Sequence, residues 1–272
     1  MNELKLTLFD TGYCHSFEKI VAANKLWKVT QFHALVGLIE HPNFGPILFD
    51  TGYSPHIHEA CRHFPFNMYR RATPIHYGLS AAQCVLKHGY RPEEIQHVVI
   101  SHFHADHIGG LKDFPNATFH YLAEAYKAVA SLKGLKAVFN GFIPRLIPED
   151  FVKRSKVVKE AISLPYEPFK QGYDLFGDQS ILGVALPGHA HGQMGLIINT
   201  STGLKFLVAD ACWQSSNYRN LEYPHRLGRI AIADYEGFCK TLHALQTFSH
   251  HFPAIKIIPT HCQEVWKEFC TC

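Results

Sequence analysis

The sequence lacks any hydrophobic run long enough to cross a membrane. Its longest apolar stretches, such as residues 255–259, are the length of a strand, far short of the roughly 20 residues of a membrane-spanning helix. It also lacks an excess of charge of one sign, because 26 Lys and Arg residues oppose 23 Asp and Glu residues and leave a net charge of +3. These absences argue against a membrane span and against nucleic acid as a partner.

The amino terminus, MNELKLTLFD, has no basic segment leading into an apolar run and no small-residue cleavage site. We therefore expect no secretory signal and a cytoplasmic location. The eight cysteines are scattered through a chain long enough to build its own core, so we expect mostly reduced thiols. Cys270 and Cys272 form a CxC pair near the carboxyl end, and the sequence leaves its role open.

No linker or low-complexity segment divides the chain, and strand-length apolar segments alternate with helix-length ones. This pattern predicts one α/β domain over residues 1–272. The predicted strands are 5–9, 33–40, 47–49, 97–101, 118–121, 180–186, 194–199, 205–209 and 255–259. The predicted helices are 80–88, with Ser80 as N-cap, 123–133 and 235–250.

The segment 134–173 differs from the rest of the chain. It is apolar without one clean period and is interrupted by prolines. We expect an insertion, which is either a lid or pocket wall or a plain surface excursion.

Twenty histidines are present, and one group has the spacing of metal ligands. His102, His104, Asp106 and His107 directly follow an apolar strand and precede a glycine-containing helix start. In an extended turn, His102 and His104 point to the same side, whereas Asp106 and His107 can reach a second position. A chance cluster of surface histidines would not account for this order after a strand. The HxHxDH motif therefore predicts a loop that serves two metal ions.

One loop cannot complete two metal sites, so further ligands are needed at the ends of other strands. Three residues have this placement: His189 after VALPG, Asp210 after KFLVA, and His261 after IKIIPT. Strand ends that converge on one edge of a sheet form a site.

The seven residues together resemble the ligand set of the metallo-β-lactamase superfamily of metal-dependent hydrolases, and the resemblance extends over about residues 30–265. It implies an αββα sandwich, in which two sheets pack face to face between outer helices, with a dinuclear metal site at one edge of the two sheets. The implied ligands are His102, His104 and His189 for one metal, Asp106, His107 and His261 for the other, and Asp210 as the bridge between them.

The donors are imidazoles and carboxylates without thiolate, which favours Zn²⁺, although Mn²⁺, Fe²⁺ or Co²⁺ could occupy such a set. The oxygen-reducing di-iron branch of the superfamily usually has Glu where His104 stands, so His104 favours hydrolysis. Two metals that share a water lower its pKa toward about 7, and the resulting bridging hydroxide is the expected nucleophile. Asp106 would be a ligand and also a hydrogen-bond acceptor near that water, and Asp210 would be the second catalytic carboxylate.

The hexapeptide LFDTGY occurs twice, at 8–13 and at 48–53, and each copy predicts a strand that runs into a tight glycine turn. In the superfamily a strand ending in DTG lies beside the metal-binding loop. The resemblance therefore implies that Asp50 orients a ligand imidazole or the loop backbone, and that Gly52 permits the turn. For the first copy, the sequence favours a strand end with similar turn chemistry and no further role.

Within the superfamily, the motifs DTG, HxHxDH and PGHxxG and the bridging Asp look most similar to the N-acyl homoserine lactonase branch. Those lactonases carry a Tyr three residues after the bridging Asp, where this chain has Trp213. An indole cannot exchange a proton as a phenol can. Either the substrate differs or another group takes this role, and Trp213 is otherwise the wall of a hydrophobic pocket. The candidate pocket residues are Trp213, Tyr218, Tyr223, His225, Phe139 and Phe142.

The sequence thus predicts a zinc-dependent hydrolase that opens a lactone, ester or thioester with an apolar acyl or aromatic part. Its expected partner is a small-molecule substrate, and a homodimer is compatible with the sequence. Two alternatives stay open: a phosphodiesterase of the same superfamily, and a metal-retaining binding or regulatory protein with little turnover.

Overall fold

The computed structural model describes residues 3–270, so Cys272 of the CxC pair lies outside the described residues. The strands are β1 (Lys5–Phe17), β2 (Val29–His41), β3 (Gly45–Phe49), β4 (Ile75–Tyr77), β5 (His97–Val99), β6 (Thr118–Leu122), β7 (Ser155–Val158), β8 (Ile162–Tyr166), β9 (Phe169–Asp174), β10 (Ile181–Ala185), β11 (Met194–Thr200), β12 (Gly203–Ala209) and β13 (Lys256–Pro259). The helices are α1 (Glu18–Val21), α2 (Pro55–Ala60), α3 (Asn67–Ala72), α4 (Ala81–Lys87), α5 (Ala105–Ile108), α6 (Ala123–Val129), α7 (Gly134–Phe139), α8 (Ser215–Asn220), α9 (Tyr235–His251) and α10 (Gln263–Phe269).

Two sheets organise these strands. The first has the order β4-β1-β2-β3-β5-β6-β7, and the second has the order β13-β12-β11-β10-β9-β8. In the first sheet β3, β5, β6 and β7 run parallel to one another. In the second sheet β13 runs parallel to β12, and β10, β11 and β12 pair antiparallel. Several strands of both sheets therefore end at a shared edge.

The sheets pack face to face, and helices cover their outer faces. In β12, Leu207 and Ala209 belong to the core between the sheets, whereas Phe206 and Val208 pack with residues of α8 and α9. This alternation is that of a strand buried on both faces. The outer core of the first sheet includes residues of α2, α4, α5 and α6. The expected αββα sandwich is therefore confirmed.

The predicted cap of α4 is confirmed. The hydroxyl of Ser80 accepts the N–H of Gln83 at 3.4 Å, and the side chain of Gln83 accepts the N–H of Ser80 at 3.0 Å. The helix predicted over 123–133 is wrong at its end. It stops at Val129, and α7 begins at Gly134 after Lys133, which has an extended conformation that a helix through residue 133 excludes.

The predicted turn at the end of the first LFDTGY copy is also wrong. Strand β1 continues to Phe17, and Gly12 lies within it, between two registers of pairing with β2. Such a bulge bends the strand. Gly12 has φ +129, and a Cβ there would lie 2.3 Å from the carbonyl oxygen of His76 in β4. The close approach of β4 thus requires glycine at this position.

The segment 134–173 has two parts. Its second part contains β7, at the edge of the first sheet, and β8 with most of β9, at the edge of the second sheet. Its first part passes the HxHxDH loop, where the carbonyl of Gly141 accepts the N–H of Ala105 at 2.9 Å. A lid or pocket wall is therefore a prediction only for the part that begins with α7. Among the residues described, none of the helices has the length and apolar character needed to cross a membrane.

Candidate metal centre

The seven predicted ligands all lie just beyond the carboxyl ends of strands. The loop with His102, His104, Asp106 and His107 follows β5 in the first sheet. The other three follow strands of the second sheet: His189 follows β10, Asp210 follows β12 and His261 follows β13. Each strand end sends its loop to the edge that the two sheets share. The structure therefore brings together residues that are up to 159 positions apart (261 − 102).

The first group consists of His102, His104 and His189. One ring nitrogen from each lies within 4.8 Å of those of the other two. Nδ1 of His104 and Nε2 of His189 are 2.9 Å apart. The three imidazoles of this group thus lie close together.

The second group consists of Asp106, His107 and His261. Its ligand atoms also lie within 4.8 Å of one another, and Nε2 of His261 is 3.6 Å from Oδ2 of Asp106. This is the composition that the resemblance implied for the second metal.

Asp210 lies between the two groups. Its Oδ2 is 3.3 Å from Nε2 of His189 in the first group and 3.0 Å from Nε2 of His261 in the second. Its Oδ1 is 3.2 Å from Nε2 of His107. One carboxylate therefore contacts both groups.

Burial favours neutral imidazoles in the first group. It lowers the pKa of His104 below the ordinary value and lowers the pKa of His102 and His189 well below it. A neutral imidazole has a free lone pair, which is the form that binds a metal.

In the second group, nearby carboxylates affect the pKa of His107 more strongly than burial does. Burial by itself would lower the pKa of His107, but Asp210 and Asp50 outweigh it and raise this pKa well above the ordinary value. For Asp210, burial opposes ionisation, yet His261 and His107 hold the pKa of its carboxyl well below the usual range. The buried carboxylate is therefore ionised.

Within residues 3–270, several buried atoms of this cluster make no hydrogen bond: Nε2 of His102, Nε2 of His107, Nδ1 of His189 and Oδ1 of Asp210. Although Nε2 of His107 and Oδ1 of Asp210 are 3.2 Å apart, they do not have the geometry of a hydrogen bond. Buried polar atoms are rarely left without a partner, because the loss of their hydration costs about 1–3 kcal/mol each. The donors are nitrogen and oxygen atoms without thiolate, a set that suits Zn²⁺ and related divalent ions. The residues present therefore fit a metal centre.

Asp50 contacts the cluster from behind. Its Oδ2 accepts a hydrogen bond from Nδ1 of His107 at 2.8 Å and another from the hydroxyl of Ser101 at 2.7 Å, and its Oδ1 accepts the N–H of Ser101 at 2.8 Å. The bond to Nδ1 turns Nε2 of His107 toward Asp210. A carboxylate behind a ligand imidazole is a common feature of metal sites.

The structure adds a second support that the sequence reasoning missed. The backbone carbonyl of His33 accepts a hydrogen bond from Nδ1 of His261, which directs Nε2 of His261 toward Asp210. The ring of His33 is held in turn by Asp10, whose Oδ2 is 2.8 Å from Nδ1 of His33. Asp10 belongs to the first LFDTGY copy, so the repeated hexapeptide was the signal that could have pointed to it.

Of the predicted pocket residues, Trp213 is the one in contact with the seven. Its Nε1 donates a hydrogen bond to Oδ2 of Asp210 at 3.3 Å. Its ring meets that of His189 edge-on, with the centroids 5.7 Å apart.

The other predicted pocket residues lie elsewhere. Tyr218 is buried in the core between the second sheet and α9. Tyr223 bonds His243 at 3.1 Å, and the ring of His225 contacts that of Trp27. Phe142 is buried in the outer core of the first sheet and Phe139 is exposed. Among the described residues, no hydrogen bond, ion pair or ring contact joins these five side chains to the seven.

The family model described as the metallo-β-lactamase superfamily matches residues 3–209. Among similar proteins, N-acyl homoserine lactonase AttM of Rhizobium radiobacter is 23% identical over 184 residues, which cover 66% of this chain and 63% of the relative. The match thus spans a little under two thirds of that relative's length.

Solved structures show the same fold. A mutant of AiiA from Bacillus thuringiensis, with N-decanoyl-L-homoserine bound at its active site, has a TM-score of 0.72 at 20% identity and covers 98% of this chain and 97% of that chain. AidC, a dizinc quorum-quenching lactonase, has a TM-score of 0.66 at 17% identity, with coverage of 97% and 89%.

Proposed function

This chain belongs to the metallo-β-lactamase superfamily, and from that premise we propose that it is a dinuclear metal-dependent hydrolase that opens a lactone, ester or thioester. The observation that carries the proposal is the position of Asp210, whose carboxylate contacts His189 of one three-residue group and His107 and His261 of the other. A carboxylate shared by two such groups is suited to hold two ions side by side.

In this proposal His102, His104 and His189 hold one ion, Asp106, His107 and His261 hold the second, and Asp210 binds both. The ions, with Zn²⁺ as the first choice, would supply a water of lowered pKa and a Lewis acid for the substrate's carbonyl oxygen. The lowered pKa values of His102, His104 and His189 and the ionised Asp210 match the protonation states that such a site needs. On His107, where Asp210 and Asp50 favour the protonated form, a bound ion would displace the proton.

The chain's own residues have separable tasks. Asp50 fixes the ring of His107, and the carbonyl of His33 fixes that of His261. Asp106 is the more accessible of the two catalytic carboxylates, with 16% of its side chain exposed against 3% for Asp210. We therefore assign Asp106 to accept a hydrogen bond from the attacking water, whereas Asp210 would contribute to catalysis as the ligand shared by both groups.

The residues around Trp213 support the proposal that the substrate has an apolar part. The indole packs in a buried cluster with Val21, Phe32, Ile232 and Phe238, directly beside His189. These side chains are buried, so they give the ligand an apolar environment, which suits an acyl or aromatic group better than a highly charged substrate. The name of the AttM relative, an N-acyl homoserine lactonase, agrees with this class.

The test is metal content by mass spectrometry on purified protein, combined with turnover of lactones, thioesters, aryl esters and phosphodiesters. We expect two metals per chain together with lactone or ester hydrolysis. Two metals with phosphodiester turnover alone would favour the phosphodiesterase, and two metals without turnover would favour a binding or regulatory protein. No metal after reconstitution with Zn²⁺, Mn²⁺, Fe²⁺ or Co²⁺ would refute the ligand assignment.

A further inference from the structure

Trp213 lies three residues beyond Asp210, in the turn that follows β12. Its indole N–H donates to Oδ2 of Asp210 at 3.3 Å, and this is the oxygen that also lies closest to His189 and His261. A carboxylate oxygen has more than one lone pair and can accept a hydrogen bond while it contacts other groups. The indole therefore contacts the one carboxylate that the two groups share.

The indole is held rigidly in this position. The residue is 7% exposed. Its ring stands at 85° to that of His189, and on the other side its centroid is 5.9 Å from that of Phe238 in α9. A ring packed on both sides loses little further freedom when its N–H bonds a partner, so the hydrogen bond is preorganised.

The chemistry of the indole limits its role. Nε1–H donates only and does not release its proton in the ordinary pH range. It cannot act as the proton donor or acceptor that a phenol could be at this position. It can, however, hold an ionised carboxylate, and charge-assisted hydrogen bonds are stronger than those between neutral groups.

We propose that Trp213 is a positioning residue, whose N–H fixes the orientation of the Asp210 carboxylate and thereby the geometry and affinity with which the two groups bind divalent ions. The inference rests on the proposed function, because it takes Asp210 as the shared ligand. Hydrogen-bond partners behind metal ligands typically change metal affinity by about 10- to 100-fold. Since 3.3 Å is long for such a bond, we expect the lower end of that range.

The test compares Trp213→Phe with wild type. Phenylalanine keeps an aromatic wall against His189 and removes the N–H. Trp27→Phe is the matched control, because Trp27 is a half-exposed indole that contacts Phe17 and His225, away from the seven residues. Each metal-free protein is titrated with Co²⁺ and with Zn²⁺ in competition with a chelator, and the visible absorption spectrum of the Co²⁺ form is recorded. Thermal unfolding of the metal-free proteins checks that they are folded.

We expect Trp213→Phe to bind both metals about 10-fold more weakly and to show shifted Co²⁺ absorption bands, while Trp27→Phe matches wild type. Unchanged metal affinity and an unchanged Co²⁺ spectrum, with only KM altered, would overturn the proposal and leave Trp213 as a pocket wall. Failure of the wild type to bind any divalent ion would instead refute the proposed function, so the two failures are distinguishable.

A second measurement covers the case in which Trp213→Phe does not fold. The chain has three tryptophans, so the double variant Trp27→Phe, Trp266→Phe retains Trp213 alone. The emission wavelength of Trp213 should shift during a Zn²⁺ titration, because bound Zn²⁺ would change the charge at the Asp210 carboxylate that the indole N–H faces. The dissociation constant fitted to this shift should equal the one found by chelator competition. An emission that does not respond to saturating Zn²⁺ would overturn the proposal.

Discussion

The hydroxyl oxygen of Thr11 accepts a hydrogen bond from the backbone N–H of Tyr53 at 2.9 Å. The same hydroxyl donates to the carbonyl of Ala34 in β2 at 2.8 Å. Thr11 belongs to the first copy of LFDTGY and Tyr53 to the second, so the two copies are joined by a hydrogen bond. The second copy also contains Asp50, which accepts a hydrogen bond from His107. The repeated hexapeptide thus brings the middle of β1 into direct contact with the turn that follows β3, next to Asp50 of the candidate metal centre.

Gly52→Ala should destabilise the protein strongly. Gly52 has φ +61, and a Cβ there would lie 2.1 Å from Oγ1 of Thr11, so the substitution combines backbone strain with a clash. We expect a loss of roughly 3 kcal/mol in the free energy of unfolding of the metal-free protein, measured in urea. Gly45→Ala is the control, because Gly45 has φ +69 and nothing within 4 Å of such a Cβ, so only the strain of about 1 kcal/mol applies. Equal losses for the two variants would contradict the contact with Thr11.

Asp50→Asn should weaken metal binding without unfolding the protein. Asp50 has φ +62, a conformation that Asn tolerates well. Asn, however, presents an N–H group that can donate to Nδ1 of His107, which would place the proton on Nε2 and block that nitrogen as a ligand. We expect metal affinity to fall about 10- to 100-fold, as measured by chelator competition.

The matched control is Asp113→Asn, which alters another Asp–His pair. Oδ1 of Asp113 is 2.7 Å from Nε2 of His56, and both side chains are partly exposed. This variant should bind metal like wild type. If the two variants behave alike, Asp50 does not orient a ligand.

The Asp210→Ala variant should lose both metals and all activity together, because the shared carboxylate contacts both groups. The Asp106→Ala variant should keep about one metal per chain, because Asp106 belongs to the second group and its loss should release only that group's ion. Metal content by mass spectrometry and turnover, measured on the same preparations, test both expectations. Full metal content in Asp210→Ala would contradict its bridging assignment.

Stability should fall in mild acid because of a buried histidine that is not one of the seven predicted ligands. Burial, followed by the charges of His97 and Lys156, lowers the pKa of His120 from 6.5 to about 3. Below about pH 6.5 the imidazole of His120 therefore binds a proton in the unfolded chain but not in the folded protein. The folded protein is thus most stable above that pH, and its free energy of unfolding decreases as the pH falls from 6.5 toward 3. Linkage gives about 2 kcal/mol of lost stability between pH 7 and pH 5.

The variant for this test is His120→Gln, which keeps an amide next to Nδ1 of His97, the atom that lies 3.1 Å from Nε2 of His120. Urea unfolding of the metal-free protein from pH 7 to pH 5 should show a flatter pH dependence for this variant. His251→Gln, at an exposed position, should retain the wild-type slope. Parallel pH profiles for all three proteins would show that His120 is not the cause.

The sequence identified the seven clustered residues because their signal is local. An apolar run predicts a strand, and a ligand-type residue directly after it is placed at a sheet edge whatever the rest of the fold does. The same reasoning missed α2, α3, α8 and α10, since helices of six or seven residues are too short to show a period. It also missed the edge strands β7 and β8 and the strand β9 beside β8, all of which lie largely in a segment with mixed apolar spacing.

Only the tertiary structure determined which groups form hydrogen bonds to the predicted ligands. The carbonyl of His33 meets His261 across 228 positions of sequence, and the N–H of Trp213 bonds Asp210 because neighbouring rings hold the indole in place. It also separated Tyr218, Tyr223 and His225 from the cluster. Sequence determines which residues can coordinate, because donor chemistry belongs to the side chain, whereas packing between distant segments determines which hydrogen bonds and walls surround them.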